Sequence, residues 1–182
     1  LATDDPITGS FTVSLTGTGL ANQEIRVLLG TTRIFEGAGS AAAVFTGVNL
    51  AEDSTAKTSQ NTFTIQNAGD VALTVTSINS SNTAFQVDTN SITLPATIPG
   101  SGSTTFNVTF GPNARGPFAG TIDIGSDSPA NGNLVFNVTG NAIAPVANVS
   151  SGDNIAFDDT VIGGSSTQSV TITNDGDSDL TW

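Results

Sequence analysis

The sequence predicts an all-β chain made of tandem β-sandwich modules, one complete and two partial. Three observations predict this: short runs that alternate apolar and polar residues, glycine-, proline- and asparagine-rich turns between them, and an internal repeat. A period of two residues is typical of a half-buried strand, and strands spaced by roughly 8–12 residues indicate a sandwich or barrel. No run carries a convincing 3.6-residue apolar stripe, so we expect no helix.

Seven alternating runs predict strands, and the threonine and valine that are frequent in them suit a pleated surface. The runs lie at residues 11–16, 62–66, 73–78, 105–110, 120–124, 134–138 and 169–173. In the fourth run, Phe106, Val108 and Phe110 fall on one face, which we expect to form a core between two sheets. Pro99 and Pro112 bracket this strand, because proline donates no ladder hydrogen bond.

Two gap-free self-matches indicate an internal repeat. Residues 2–21 match residues 125–144, with a proline and two glycines in register. Residues 61–75 match residues 168–182, and an asparagine, a glycine and a leucine recur in the same positions. A fixed period of self-similarity is typical of arrays in which each repeat is one structural unit.

The two matches divide the chain into three parts. Residues 1–21 are predicted to be the last strand of a preceding module. Residues 22–143 are predicted to be a complete module, and residues 144–182 the opening strands of a following one. The first strands of the complete module are not placed by these matches, because residues 26–43 form a long and irregular stretch.

Asparagine and glycine recur where two alternating runs meet. The sequence reads Asn67-Ala68-Gly69-Asp70 in the complete module and Asn174-Asp175-Gly176-Asp177 in the following part. Glycine supplies the positive φ of tight hairpin turns, and asparagine tolerates it. We therefore interpret both stretches as hairpin turns that join successive strands.

The second turn also resembles a calcium loop. Asp175, Asp177 and Asp179 stand at alternate positions around Gly176, and calcium prefers such carboxylate ligands. The equivalent turn of the complete module keeps the spacing without two of these acids, so a turn alone explains it and calcium remains the alternative. A second acidic cluster, for which a solvated loop is the simpler interpretation, comprises Asp153, Asp158 and Asp159.

The composition excludes most catalytic chemistry. Histidine, cysteine, methionine and tyrosine are absent, so no Ser–His or Cys–His nucleophile, no usual zinc or haem site and no disulfide can form. A glycosidase would need a carboxylate pair across a cleft, and the only indole for a sugar platform is Trp182. We predict that the protein is not an enzyme, has no catalytic residues and needs no cofactor.

The charge distribution argues against nucleic acid and membrane partners. Four lysines and arginines stand against 16 aspartates and glutamates, which gives a net charge of −12. Phosphate binding requires clustered cations, whereas Arg26, Arg33, Lys57 and Arg115 occur singly. No run approaches the roughly 18 apolar residues of a membrane span. We predict no binding to nucleic acid and no membrane insertion in this segment.

Three sequence motifs identify a family resemblance. An opening motif covers residues 157–165 and 170–176, a middle motif covers residues 98–112, and a closing motif covers residues 136–140. These motifs resemble the bacterial Hydin-type immunoglobulin-like repeat, of the choice-of-anchor D kind found in large surface proteins. The resemblance implies immunoglobulin-like sandwich modules that serve as spacers, stalks or assembly units and carry no catalytic residues.

We therefore expect a bacterial, extracellular or cell-surface structural protein that forms a stalk, filament or sheath. Partial sandwiches expose unpaired strand edges, so the expected partners are copies of the chain or adjacent repeats, head to tail, with strand complementation between them. The alternative is an adhesin or ligand-binding module of a large surface protein, with its patch on residues 30–47 or 80–91. A microtubule-associated role ranks last, because acidic tubulin would repel this chain.

Overall fold

The computed structural model describes residues 6, 12–17, 22–37, 43–51, 57–150 and 154–182. These residues form strands and contain no helix, so the all-β prediction is confirmed. The strands are β1 (Ile25–Leu29), β2 (Thr32–Ile34), β3 (Ala43–Val44), β4 (Val48–Asn49), β5 (Ser59–Asn67), β6 (Leu73–Ser80), β7 (Phe85–Val87), β8 (Ala96–Ile98), β9 (Ser103–Phe110), β10 (Gly116–Ser126), β11 (Asn133–Ile143), β12 (Ala147–Val149) and β13 (Ile172–Asn174).

Eleven of these strands form the two sheets of an immunoglobulin-like sandwich. The first sheet has the order β2-β1-β5-β9-β7, and every pair in it is antiparallel. The second sheet has the order β3-β11-β10-β6-β8, and β4 pairs with β11 next to β3. The short strands β3 and β4 run parallel to β11, while the remaining pairs of this sheet are antiparallel.

Phenylalanines from both sheets fill the space between them. Phe63 of β5 lies 5.3 Å, ring centre to ring centre, from Phe106 of its own sheet and also from Phe136 of the opposite sheet. Phe45, which lies between β3 and β4, packs 5.2 Å from Phe85. Each of these side chains is buried, as period-two alternation in half-buried strands requires. The core face expected from the run 105–110 is thus confirmed.

Five predicted runs lie within β5, β6, β9, β10 and β11. The run 169–173 forms a strand only from Ile172. Residues 12–16 of the first run form no strand, and residue 11 lies outside the described residues. The strand predicted here is therefore absent from residues 12–16, because no described strand lies beside them and an extended segment becomes a strand only when its backbone groups are paired.

The hairpin interpretation of residues 67–70 is wrong. Strand β5 belongs to the first sheet and β6 to the second, so the residues between them carry the chain from one sheet to the other. A hairpin joins neighbouring strands of one sheet, which this turn does not do.

Strands β12 and β13 lie beyond the sandwich and pair only with each other. Their register sets Ala147 opposite Asn174 and Val149 opposite Ile172. All six residues of this two-stranded sheet are exposed. The sheet repeats the pairing of β1 with β5, in which Ile25 stands opposite Asn67.

Candidate functional site at the junction turns

Asn67, at the end of β5, organises the turn that leads to the second sheet. Its side chain is fully buried. Its Nδ2 atom donates to the carbonyl oxygens of Val71 at 2.7 Å, Ile98 at 3.1 Å and Pro99 at 3.2 Å. A single amide therefore links the turn at Val71 to the backbone at Ile98 and Pro99, and its bond to the Ile98 carbonyl is buried.

The same side chain also holds the segment that precedes β1. Its Oδ1 accepts from the backbone N–H of Gly69 at 3.1 Å and of Glu24 at 3.4 Å. Asp70 adds a reciprocal pair with Asn22: the N–H of Asn22 donates to Asp70 Oδ1 at 2.8 Å, and the N–H of Asp70 donates to the Asn22 carbonyl at 3.1 Å. We call residues 67–71 the first junction turn, because they attach the sandwich to the chain that enters it.

Gly69 is required for space rather than for positive φ. The described glycines with positive φ are Gly30, Gly37, Gly116 and Gly163. A Cβ atom on Gly69 would overlap the carbonyl of Asn22, which crosses directly over it. The expected positive φ at this glycine is therefore wrong, and its physical role is to allow two backbones to approach closely.

The second junction turn, residues 174–178, reproduces this arrangement. Asn174 Nδ2 donates to the Ser178 carbonyl at 2.7 Å, and its Oδ1 accepts from the N–H groups of Gly176 at 3.0 Å and Val146 at 3.1 Å. A Cβ on Gly176 would overlap the carbonyl of Ala144. The two turns differ in burial, since Asn174 is exposed where Asn67 is buried.

Asp177 repeats the role of Asp70. The N–H of Ala144 donates to Asp177 Oδ1 at 2.8 Å, and the N–H of Asp177 donates to the Ala144 carbonyl at 3.1 Å. Asp175 donates its N–H to the Val146 carbonyl at 2.8 Å. The asparagine, glycine and aspartate that recur in the sequence thus make equivalent contacts at both places.

The chain passes from the sandwich into the second junction turn with almost no free backbone. Strand β11 ends at Ile143, whose carbonyl accepts from Leu50 at 2.8 Å. Ala144 and Val146 are held by the second junction turn, and β12 begins one residue later. Arg115, in the loop before β10, donates to the Asp175 carbonyl at 3.3 Å. Hydrogen bonds therefore hold the backbone on both sides of this connection.

Two residues of the loop after β10, for which the sequence analysis predicts no contact, complete the first junction. Ser128, which is buried, donates its hydroxyl to the Gln23 carbonyl at 3.1 Å. Asp127 Oδ1 accepts from the N–H of Thr74 at 2.8 Å. These contacts join residues that are 53 and 105 positions apart in the chain, so no local pattern predicts them.

The aspartates of the calcium hypothesis lie in and just after the second junction turn. Asp175 accepts from Asn148 Nδ2 at 2.6 Å and from the Thr173 hydroxyl at 3.3 Å, while Asp177 accepts from the Ala144 N–H. Asp179 is exposed. Within the described ranges no three acidic side chains are grouped as a metal would need. Calcium binding at this turn stays an untested alternative to a plain turn.

The second acidic cluster is only partly described. Asp158 and Asp159 are exposed, and Asp153 lies outside the described residues. The arginines contact single groups: Arg26 forms an ion pair with Glu24 at 2.8 Å, and the Arg33 guanidinium lies 5.2 Å from the Phe35 ring centre. Each is a contact of an individual side chain with a neighbour two positions away in the chain.

The described residues line surface cavities large enough to accept a small group, of which two bear on the binding alternative. One, of about 360 Å³, is mainly apolar and is lined by Ile78, Val87, Thr89, Ile92, Thr93 and Leu94. The other, of about 290 Å³, is mainly polar and is lined by Asn82, Thr83, Ala84, Gln86, Gly111, Asn113 and Phe118. Both draw residues from the loop region 80–91 that the adhesin alternative singled out. In the part of the chain that the structure describes, no helix has the length and apolar character to cross a membrane.

Known structures resemble this fold at low sequence identity. The ASH/PapD-like domain 7 of human CEP192 is 14% identical, with a TM-score of 0.45, over 76% of this chain and 99% of that one. The VesB protease of Vibrio cholerae is 16% identical, with a TM-score of 0.42, over 55% of this chain and 30% of that one. A protein of unknown function from Porphyromonas gingivalis W83 is 14% identical, with a TM-score of 0.42, over 71% and 70%.

The family assignment rests on sequence. No curated protein sequence matches the chain significantly. The model of the HYDIN/CFA65/VesB-like Ig-like domain matches residues 43–141, which is more than half of the chain and runs from β3 into β11. This match confirms the resemblance to Hydin-type immunoglobulin-like repeats. The chain therefore belongs to the HYDIN/CFA65/VesB-like Ig-like domain family.

Proposed function

We propose that this chain is a non-enzymatic structural repeat protein that forms a stalk, filament or sheath. The observation that carries the proposal is the recurrence of one hydrogen-bond set at two junction turns. Each turn uses an asparagine, a glycine and an aspartate to hold the backbone that enters it. The recurrence of the same contacts at two places is typical of a tandem array, in which each module contacts its neighbours in the chain.

The proposed domain organisation follows from these joints. Residues 22–143 form the complete sandwich, residues 1–21 close a preceding module, and residues 144–182 open a following one. In support, a Cβ at Gly140 would stand 2.7 Å from the ring of Phe110, so the closing strand needs glycine where an aromatic ring packs on it. Gly17 stands at the matching position of the first part.

A mechanical role agrees with the hydrogen bonding of the backbone that connects the sandwich to the following part. The backbone from Asn133 to Val149 is paired or hydrogen-bonded along its length, apart from Pro145, which has no N–H. Such a connection leaves little free backbone between the two parts, and the hydrogen bond from Arg115 to the Asp175 carbonyl joins them directly. We propose that the array is extracellular, at a bacterial surface, and that its partners are copies of itself or adjacent repeats, head to tail.

Electron microscopy of the native material, combined with the intact mass of the denatured chain, tests the proposal. Fibres built from chains of this length would mean that neighbouring subunits complete one another. Fibres or long rods built from a much larger chain would mean that a covalent array forms them. Compact particles that are neither rods nor fibres would contradict a structural role.

An adhesin or ligand-binding module is the second candidate. It is favoured by the polar cavity of about 290 Å³, in which Gln86 and Asn113 lie near the half-buried ring of Phe118. Amides beside an aromatic ring suit a neutral polar ligand. Short rods that do not assemble, together with ligand binding lost in Gln86→Ala, would move this candidate to first place.

A further inference from the structure

The polar cavity of about 290 Å³ draws its walls from both sheets of the complete sandwich. Its residues come from the loop before β7 and β7 itself, from the loop between β9 and β10, and from β10. Strand β7 is an edge strand of the first sheet, and β10 belongs to the second sheet. The cavity therefore depends on the assembled sandwich, because neither sheet alone supplies all of its walls.

Hydrogen bonds fix the loops that surround this cavity. Asn82 Nδ2 donates to the Ala119 carbonyl at 2.9 Å, and its Oδ1 accepts from the Ala84 N–H at 2.9 Å. The Gly111 N–H donates to the Ala84 carbonyl at 2.8 Å, which joins the loop before β7 to the loop after β9. A site whose walls are already held in this way loses little conformational entropy when a ligand binds.

The ring of Phe118 forms the apolar part of the cavity. It lies 5.6 Å from the Phe110 ring, centre to centre, at an interplanar angle of 66°. Phe110 is fully buried, whereas Phe118 is half-buried. The Phe118 ring is thus anchored on the core and keeps part of its surface for the cavity. The negative face of an aromatic ring attracts weakly positive C–H groups of a ligand.

Three polar side chains at the cavity form no hydrogen bond with any described residue: Thr83, Gln86 and Asn113. All three residues are exposed. Together they carry one hydroxyl and two amides, and each of these groups can both donate and accept. The cavity therefore offers neutral hydrogen-bonding groups that bind water in the free protein and can exchange it for ligand hydroxyls.

The charges around the cavity favour a neutral ligand. No described residue that lines the cavity is charged. The nearest cation in the sequence, Arg115, is two positions after Asn113 and already donates to the Asp175 carbonyl. The chain carries a net charge of −12, so its overall field repels anions. An anionic ligand would meet this repulsion without a cation in the cavity to offset it, whereas a neutral ligand would not.

We propose that the polar cavity binds a neutral pyranose sugar, as one unit of a glycan. The proposal rests on the ligand-binding alternative given above and names its ligand class. A pyranose has hydroxyls along its edge, each able to donate and accept, and C–H groups on the face of its ring. The hydroxyl edge matches the amides of Gln86 and Asn113, and the C–H face matches the ring of Phe118. A nucleotide lacks such a face on its planar base, and its phosphates add negative charge.

Nuclear magnetic resonance of the isotope-labelled chain tests the proposal, because it reports on each backbone amide separately. The probes are the methyl glycosides of glucose, galactose, mannose and N-acetylglucosamine, each added to about 50 mM. A small open site should bind at least one of them with a Kd of about 1–10 mM. The amide signals of Ala84, Gly111 and Phe118 should then shift and saturate. Glucuronate, a sugar that carries a negative charge, should bind about tenfold more weakly.

Two substitutions and a matched control connect this binding to the cavity. Gln86→Ala and Asn113→Ala should each raise the Kd about fivefold, the loss expected when one hydrogen bond to a neutral group disappears. Asn90→Ala is the control, because Asn90 is also an exposed amide but does not line the cavity and has no side-chain hydrogen bond. It should leave the Kd within about twofold of the parent value.

The absence of a saturable shift with all four glycosides would overturn the proposal. Shifts centred on residues away from the cavity, or equal Kd values for the parent, Gln86→Ala and Asn113→Ala, would also overturn it. Binding of a different class of ligand that Gln86→Ala abolishes would keep the ligand-binding alternative and remove the sugar. Fibres or rods in electron microscopy, without glycoside binding, would leave the structural function standing and remove the sugar site.

Discussion

Replacing Asn67 by alanine tests whether the first junction turn holds the sandwich together. The substitution removes five hydrogen bonds that a single buried amide makes. Asn174→Ala is the matched control, because that side chain makes the same kinds of contact at an exposed turn. The pair of variants compares one chemical group in two environments that differ in burial.

The expected loss in the free energy of unfolding depends on which backbone groups lose their hydrogen-bond partner where water cannot replace it. The Ile98 carbonyl and the Gly69 N–H lie in the interior, and each unsatisfied buried group costs about 1–3 kcal/mol. The remaining three bonds are partly buried and add less. Asn67→Ala should therefore lower the free energy of unfolding by about 3–5 kcal/mol. Asn174→Ala should lower it by less than about 1 kcal/mol, since water replaces its partners.

Urea unfolding followed by far-ultraviolet circular dichroism measures both values. The only tryptophan, Trp182, is exposed beyond the sandwich and would not report on the core. At a slope of about 1.5 kcal/mol per molar urea, a loss of 3 kcal/mol lowers the midpoint by about 2 M. Equal midpoints for the two variants, or a midpoint for Asn67→Ala within about 0.5 M of the parent, would refute the reasoning.

Three further predictions concern the core, the closing strand and calcium. Gly140→Ala should cost about 1–3 kcal/mol in urea unfolding, because its Cβ meets the buried ring of Phe110, while Gly47→Ala, whose nearest atom is 3.4 Å away, should be close to neutral. Phe63→Ala should cost about 3–5 kcal/mol by the same assay. Phe35→Ala, at an exposed ring, should stay within about 0.5 kcal/mol of the parent, and similar costs for the two would contradict the assigned core. Calcium in the millimolar range should leave the melting temperature unchanged, since two of the three aspartates already accept hydrogen bonds, and a rise that chelator reverses would establish a site.

Much of the fold could be predicted because β5, β9 and β11 are half-buried strands with strict alternation. Their sequences predict both the strand and its inward face, and Phe106 and Val138 on the predicted inward faces are buried. Residues 12–16 have the same alternation without forming a strand. Alternation reports which face would be buried, and it cannot report whether a neighbouring strand is present to pair with.

The sequence predicted which residues form the junction turns, but it predicted the wrong local conformation for them. The repeat identified Asn67 and Gly69, but local turn rules suggested a hairpin with positive φ. The structure uses the glycine for close backbone approach and the asparagine as a buried hydrogen-bond centre. The hydrogen bond of Ser128 could not be predicted, because its acceptor, the Gln23 carbonyl, is 105 residues away in the chain. Contacts of that kind depend on the assembled sandwich and leave no local pattern.

The axial spacing of densities along the native rod or fibre, measured by electron microscopy, tests the central claim most directly. Strands β10 and β11 are 11 residues long, so a module placed end to end should extend about 37 Å along the strands. With the short joint included, the account predicts a repeat of about 40 Å. A repeat of about 24 Å, the width of a five-stranded sheet, would mean side-by-side packing and would contradict an end-to-end array joined through the junction turns.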